Sequence, residues 1–265
     1  MIGISVLLFV ILLLMGLPIA YAIMATAVFG MYFVPNVGVI TVVQKMVSGL
    51  NSFTLLAVPM FIMAANLMNI GDISRQMVDC CVALVGHIKG GLGYANVLVS
   101  MLFAGISGSS QADTAGIGKI LIPAMEEEGF PKDTAVGVTI ASSTLGVIIP
   151  PSIPMIVYSS VASCSISALF MGGIIPGILI GVGQMAVIFY LAHKYNYPCH
   201  PKTTMKQLIS VTARSLPALV TPVLILGGVM GGFMTATESA CVACVYALVL
   251  GMFVFRTIKI KDIKN

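Results

Sequence analysis

Charge is what this sequence has least of. Of its 265 residues only 13 are basic and 9 acidic, 3 are histidine and none is tryptophan. Hydrophobic residues make up 58% and charged ones 8%, with a mean hydropathy of +1.08. A soluble domain needs more charge than this on its surface, so the composition predicts an all-α polytopic membrane protein. With no basic stripe on a soluble face, nucleic-acid binding is excluded. Cysteine is also sparse: Cys80 and Cys81 are adjacent, and Cys164, Cys199, Cys241 and Cys244 are scattered. That is no disulfide framework, and Cys241-x-x-Cys244 lies in an apolar run, where small core residues are expected rather than a redox pair. Met1 to Gln44 carries no charge at all. It has no basic start and outruns the roughly 7–15 apolar residues of a secretory signal, so it reads as membrane spans.

Taken in order, Gly16-Leu17-Pro18 divides the first apolar run into two short spans, 2–15 and 18–34. A turn at Pro35, Asn36 and Gly38 and a half-polar connection over 39–52 with Lys45 follow. Phe53 to Ile70 is expected to span, kinked at Pro59. In 71–88, Asp72, Arg75, Asp79 and His87 alternate with Met77, Val78, Val82 and Leu84, the pattern of an amphipathic helix at the interface. Residues 90–126 form a hairpin closed by the polar run 126–133. Thr134 to Ile149 and Ser152 to Met171 form one span broken at Pro150-Pro151, and Gly172 to His193 is a full span. Residues 194–214, with Lys194, Lys202, Lys206 and Arg214, read as a polar loop. Two spans, Leu216–Met230 and Thr235–Phe255, precede a basic tail. Three regions result: 1–89 as scaffold, 90–171 as hairpin and broken helix, 172–265 as connecting part. The positive-inside rule places the 194–214 loop, the tail and the hairpin base in the cytoplasm and the N-terminus outside, with Lys45 alone among basic residues outside.

The stretch GISGSSQADTAGIG, 105–118, interrupts this apolar chain with Ser107, Ser109, Ser110, Gln111 and Asp113. The apolar runs on either side give about 20 Å of helix or less, short of the ~30 Å hydrocarbon core. Two half-length helices meeting at a polar tip predict a re-entrant hairpin, tolerated only inside protein or beside water. An intramembrane carboxylate such as Asp113 is costly and points to function; Glu238 is a weaker case, placed at the interface. The stretch 141–154 adds a second irregularity. Pro150, Pro151 and Pro154 cannot donate to the carbonyls of Gly146, Val147 and Pro150. A desolvated Na⁺ completed by the tip serines could take these oxygens, while helix N-termini and the Ser142, Ser143 and Thr144 hydroxyls suit a carboxylate. The plainer alternatives are a kink satisfied by neighbouring helices, small-residue packing at Ala112, Ala115, Gly116 and Gly118, and a solvated Glu126–Glu128 base. A weak repeat relates residues 15–20 to 231–236 in opposite orientation, the pattern of secondary transporters. A second hairpin is expected at about residue 320, beyond Asn265, so the chain reads as incomplete.

Three ordered motifs carry a resemblance: residues 105–118, SSTLGVIIPPSIPMIVY at 142–158 and GGFMTATESACVACVYALVLG at 231–251, with the opening GLPIAYA. Together they resemble the large membrane subunit of the tripartite ATP-independent periplasmic (TRAP) transporters. The resemblance implies an inverted-repeat, elevator-type secondary transporter of the bacterial inner membrane, with a re-entrant helical hairpin and a broken helix. It implies no enzyme and no organic cofactor, but Na⁺-coupled uptake of a small carboxylate such as a dicarboxylate or sialic acid. A periplasmic substrate-binding protein and a small four-helix membrane subunit are the implied partners. Matched motif by motif, Ser107, Ser110, Gly146, Ile149 and Pro150 fall at the first Na⁺ site, and Ser109, Asp113, Ser143 and Thr144 beside the substrate. A second hairpin and broken helix, with the second Na⁺ site and the other half of the pocket, are implied after residue 251. Among rivals, Gly105-x-Ser107-Gly108 matches a serine nucleophile motif, which needs a base within reach. His87, His193 and His200 are all expected at membrane edges. A passive channel predicts uptake without ion dependence, and other Na⁺/carboxylate symporters share the hairpin architecture.

Overall fold

The computed structural model describes residues 2–33, 38–199 and 203–258, and all regular structure among them is helical. The backbone groups into two units, Met1–Ser52 and Phe53–Asn265. The boundary expected at residue 89 thus falls inside the second unit.

In the first unit, α1 (Ile2–Leu14) and α2 (Ile19–Met31) are separated by Gly16 at φ +83° and Pro18. Each has 13 residues, about 20 Å of helix and short of a full span. Residues 39–52 are not a connection: α3 covers Val39–Leu50. Ile40, Val43, Val47 and Leu50 follow helical spacing and form an exposed apolar stripe opposite Lys45. The turn expected at Pro35 and Asn36 lies outside the described residues.

The second unit opens with a 3₁₀ turn, Phe53–Leu56, and α4 (Ala57–Ile70). Pro59 sits in the first turn of α4, just after the 3₁₀ turn, where a helix has no use for the missing N–H. Next come α5 (Ile73–Val85), α6 (Gly91–Ser107), α7 (Ser110–Glu127) and α8 (Lys132–Ser143), which ends in a 3₁₀ turn over Thr144–Val147. Then follow α9 (Ile153–Ala162), α10 (Ile166–Tyr195), α11 (Met205–Met230) and α12 (Ala236–Val249) with a terminal π-helical turn, Leu250–Val254. Among the described residues four stretches are long and apolar enough to cross a membrane: Phe53–Ile70, Ile166–Tyr195, Met205–Met230 and Ala236–Val254.

Two boundaries differ from expectation. The chain breaks at Ser163, which is left-handed at φ +53°, and Ser165 caps α10 by accepting from the Ala168 N–H. The long span therefore begins at Ile166 rather than Gly172. The 194–214 loop is shorter than read, because Gln207 accepts from the Thr204 N–H and α11 starts at Met205. Lys206 and Arg214 stand on that helix, while His200, Lys202 and the tail beyond Ile258 lie outside the described residues.

The amphipathic reading of α5 holds for most of its length: Ile73, Met77, Val78, Cys80 and Cys81 are buried and Asp72, Arg75 and Asp79 exposed, but Val82 is half-buried and Leu84, expected on the apolar side, is exposed. Cys244 is core, its Sγ against the Met60 carbonyl. Glu238 does structural work. Its carboxylate accepts from the Thr235 N–H (2.7 Å) and hydroxyl (2.8 Å), capping α12. On α10, Gly173, Gly177 and Gly181 recur every turn and face the Ile148 carbonyl, Ile149 and Met101, so this helix lies directly behind the broken segment.

The base of the hairpin is tied to the end of α10. The Gly90 N–H donates to the Pro198 carbonyl (3.0 Å), Lys89 Nζ to Asn196 Oδ1 (3.1 Å), and the Phe130 and Tyr197 rings lie 4.4 Å apart. Gly90 has φ +76°, and a Cβ there would come 2.7 Å from the Ala192 Cβ. Gly90→Ala is expected to cost about 1–3 kcal/mol, read as a melting point lower by several degrees in detergent; an unchanged melting point would show that the tie is slack.

Candidate functional site

Local sequence sets the geometry of the hairpin tip. Helix α6 stops at Ser107 because Gly108 adopts φ +61°, a conformation glycine takes without strain. Ser109 is extended and caps α7, its hydroxyl accepting from the Ala112 N–H at 3.4 Å. The irregular tip is therefore only Gly108 and Ser109; Gln111 and Asp113 belong to the first turn of α7. Gly108 is needed for a second reason. A Cβ on it would come 2.7 Å from the Pro151 carbonyl oxygen, and its own carbonyl accepts from the Ile153 N–H at 3.1 Å.

The broken segment meets the tip there. The 3₁₀ turn closes with Ile148 and Ile149 both donating to the Leu145 carbonyl, at 3.0 and 2.8 Å. The Pro150–Pro151 peptide is cis, and Ser152 starts α9, its hydroxyl accepting from the Met155 N–H. That hydroxyl also donates to the Val147 carbonyl at 2.7 Å. The carbonyl that Pro151 was expected to leave free is thus satisfied. Two helix N-termini, of α7 and α9, converge at the tip, a polarity that favours negative charge.

Asp113 is fully buried. Ser107 Oγ donates to its Oδ1, while Oδ2 is buried without a hydrogen-bond partner. That oxygen faces Gly146, where a Cβ would sit 3.1 Å from Asp113 Cγ and 3.2 Å from the Ser109 carbonyl carbon. Asp113 is expected beside the substrate; it lies with Ser107 and Gly146 of the expected ion group and, through its N–H to the Ser109 carbonyl (3.1 Å), with Ser109 of the expected substrate group. Among the described residues no three His, Cys, Asp or Glu side chains cluster as metal ligands. The donors around Asp113 are hydroxyl, carbonyl and carboxylate oxygens, the ligands of a hard cation.

Sequence comparison agrees with the motifs. The family profile of the tripartite ATP-independent periplasmic transporter, DctM component, matches residues 6–265. The chain belongs to this family.

Over 263 residues it is 40% identical to the sialic acid TRAP transporter permease protein SiaT of Haemophilus influenzae, covering 99% of this chain and 42% of that protein. It is 39% identical over 241 residues to the 2,3-diketo-L-gulonate TRAP transporter large permease protein YiaN of Escherichia coli, covering 91% and 57%. It is 39% identical over 210 residues to the C4-dicarboxylate TRAP transporter large permease protein DctM of Pseudomonas aeruginosa, covering 79% and 49%. The chain spans about half the length of the curated relatives it matches. The DctM family is one of multi-pass membrane transporter components, not enzymes. Ser107 is buried against Asp113, whereas the histidines among the described residues, His87 and His193, are exposed.

The remaining expected site residues of this DctM-family chain are placed less tightly. Ser109 Oγ donates to Gln111 Oε1 (3.0 Å) and Ser110 Oγ approaches the same oxygen (3.5 Å). Ser143 and Thr144 donate to the carbonyls of Ile140 and Ala141 in their own helix, at 2.8 and 2.7 Å. Ser142 donates to Asn96 Oδ1. Each hydroxyl has one hydrogen, so these three offer none to a carboxylate in this conformation. Ile149 is half-buried in front of Gly177, and the Pro150 carbonyl faces Gly105. Gly116 lies against Asn69 and Gly118 against Thr139, in keeping with small-residue packing. Sequence reasoning passed over Asn96, Ser100 and Thr139, all at most 1% exposed. Their signal was one polar residue per turn, Asn96 and Ser100 on α6, Thr139 and Ser142 on α8.

Proposed function

We propose that this chain is part of the membrane permease of a Na⁺-coupled, binding-protein-dependent secondary transporter. It imports a small organic anion across the bacterial inner membrane by an elevator mechanism. The observation that carries this reading is the buried Asp113 oxygen without a partner, opposite Gly146 and beside Ser107. A buried carboxylate left unpaired costs several kcal/mol, and a cation at this point offsets that cost. Na⁺, a hard ion that takes oxygen ligands, is the cargo such a donor set suits. In this reading Ser107, Asp113 and Gly146 form its inner contacts, with Ser110 and the Ile149 and Pro150 carbonyls nearby. The anion lies by Ser109 at the two helix N-termini, with Ser143 and Thr144 at its border after their hydroxyls rotate.

The substrate class is a carboxylate, in line with the sialic acid, C4-dicarboxylate and 2,3-diketo-L-gulonate named for the relatives. A periplasmic substrate-binding protein delivers it, and a small four-helix membrane subunit braces the permease. Residues 90–171 move as the transport part, 1–89 form scaffold, and 172–265 hold the connecting span, a cytoplasmic loop and the start of the second, inverted repeat. The N-terminus is periplasmic; residues 194–214 and the tail are cytoplasmic, following the basic residues.

Uptake by the assembled transporter in liposomes is expected to require an inward Na⁺ gradient that K⁺ does not replace. Ser110→Ala is expected to raise the Na⁺ concentration for half-maximal uptake about threefold, the loss of one weak oxygen ligand. Equal uptake in Na⁺ and K⁺ would sink the coupling and leave a passive conduit.

A further inference from the structure

Helices α6 and α8, which carry two parts of the candidate cation site, are joined by a file of side-chain hydrogen bonds running in one direction. Ser100 Oγ donates to Ser142 Oγ (2.9 Å), and Ser142 Oγ shares its hydrogen between Asn96 Oδ1 (3.0 Å) and the Thr139 carbonyl (3.1 Å). Asn96 Nδ2 donates to Thr139 Oγ1 (2.7 Å), and Thr139 Oγ1 to the Ala135 carbonyl (2.8 Å). None of the four side chains is more than 1% exposed. The Asn96 amide also points at Met125 Sδ of α7, at 3.7 Å. From α6, then, this one side chain reaches both α7 and α8.

We propose that Asn96 is a positioning residue for the cation site. Its amide fixes the register of α6 against α8 and so the distance from Ser107 and Asp113 to Gly146. The proposal rests on the reading of those three residues as a cation site.

Packing alone does not call for this arrangement. Apolar side chains fill a membrane interior with no polar group to desolvate, and an interhelical hydrogen bond there is worth only about 0.6 kcal/mol on average. What an amide bonded to two hydroxyls supplies is uniqueness of register. Sliding α6 along α8 by one residue, about 1.5 Å, would leave several of these buried groups without partners. From Asn96, α6 runs on for three turns to Ser107; from Ser142, α8 and its 3₁₀ turn run on for about one turn to Gly146. A slide therefore displaces one side of the site past the other by the full helical rise of about 1.5 Å, whereas ligand geometry tolerates only about 0.5 Å. Asn96 lies roughly 16 Å along α6 from Ser107 and acts through Ser142 and α8, not by touching the ion.

The test is Asn96→Leu, close in size, in the assembled transporter in liposomes with its binding protein. The Na⁺ concentration for half-maximal uptake is expected to rise about tenfold, the usual effect of losing an outer-shell support. The half-saturating anion concentration at saturating Na⁺ is expected to stay within about twofold. In detergent, the gain in melting temperature on replacing K⁺ by Na⁺ is expected to shrink. Thr139→Val, nearly isosteric, breaks the same file and is expected to act in the same direction; it serves if the leucine variant does not accumulate. Variants that melt lower in K⁺ but keep the wild-type Na⁺ half-saturation would make the file purely structural and overturn the proposal. A wild-type protein whose uptake ignores Na⁺ would instead overturn the cation site itself.

Discussion

Asp113→Asn is expected to abolish Na⁺-driven uptake while the protein still folds and inserts. Asparagine keeps the shape of the side chain, and its amide oxygen can still accept from Ser107 Oγ as Oδ1 does now. What is lost is the capacity of the buried oxygen facing Gly146 to carry negative charge opposite a cation. Removing one partner of a buried ion pair typically costs about 3–5 kcal/mol, or a fall in cation affinity of about a hundredfold or more. The measurement is uptake against Na⁺ concentration, together with the Na⁺-induced rise in melting temperature. Uptake near the wild-type rate with an unmoved Na⁺ half-saturation would remove Asp113 from the site, whatever its burial.

Gly146→Ala is expected to have the second-largest effect, by the opposite route. The carboxylate stays, but its close packing against Gly146 is overfilled. The residue lies in the 3₁₀ turn that ends α8 and is not among the glycines with positive φ, so alanine meets no backbone strain. The new methyl would run into the Asp113 carboxylate and lie 3.2 Å from the Ser109 carbonyl carbon. Overpacking of this kind costs about 1–3 kcal/mol. Here it displaces the group proposed to hold the ion, so uptake and the thermal response to Na⁺ are expected to be lost together. Gly137→Ala on the same helix is the control, since nothing lies within 4 Å of its added methyl. If both variants transport alike, the contact between Gly146 and Asp113 plays no part in holding the ion.

Much of the fold could be read in advance, for reasons visible in particular residues. The hairpin tip and the Pro150–Pro151 break are small, polar or proline-rich against an apolar background. Helix α5 alternates Arg75 and Asp79 with Met77 and Val78 at a spacing only one secondary structure explains. What escaped was of three kinds. Ser163 to Ser165 form too short a break for a hydropathy window to register, so the start of α10 was misplaced. Lys206 and Arg214 made 205–214 look like a loop, although a helix that continues out of the apolar layer takes charged residues readily. The third kind is tertiary. Ser152 reaches back to the Val147 carbonyl and Ser142 across to Asn96, 46 positions away. Nothing local says that either hydroxyl is already spoken for. The same limit explains Asp113: its chemistry was legible, but its placement among Ser107 and Gly146 depends on α8 arriving from another part of the chain.

The bond between the Gly108 carbonyl and the Ile153 N–H has a consequence for how the site can be entered. Because the bond is made by main chain, swinging the hairpin tip away from α9 would strip both groups of their partners at once. Each such group costs several kcal/mol in the hydrocarbon layer. The Pro151 carbonyl, seated where Gly108 has no side chain, holds the same joint shut by contact. The tip is not a door. Whatever reaches Asp113, which is fully buried, must come by another route or be uncovered when hairpin and broken helix travel together as one piece.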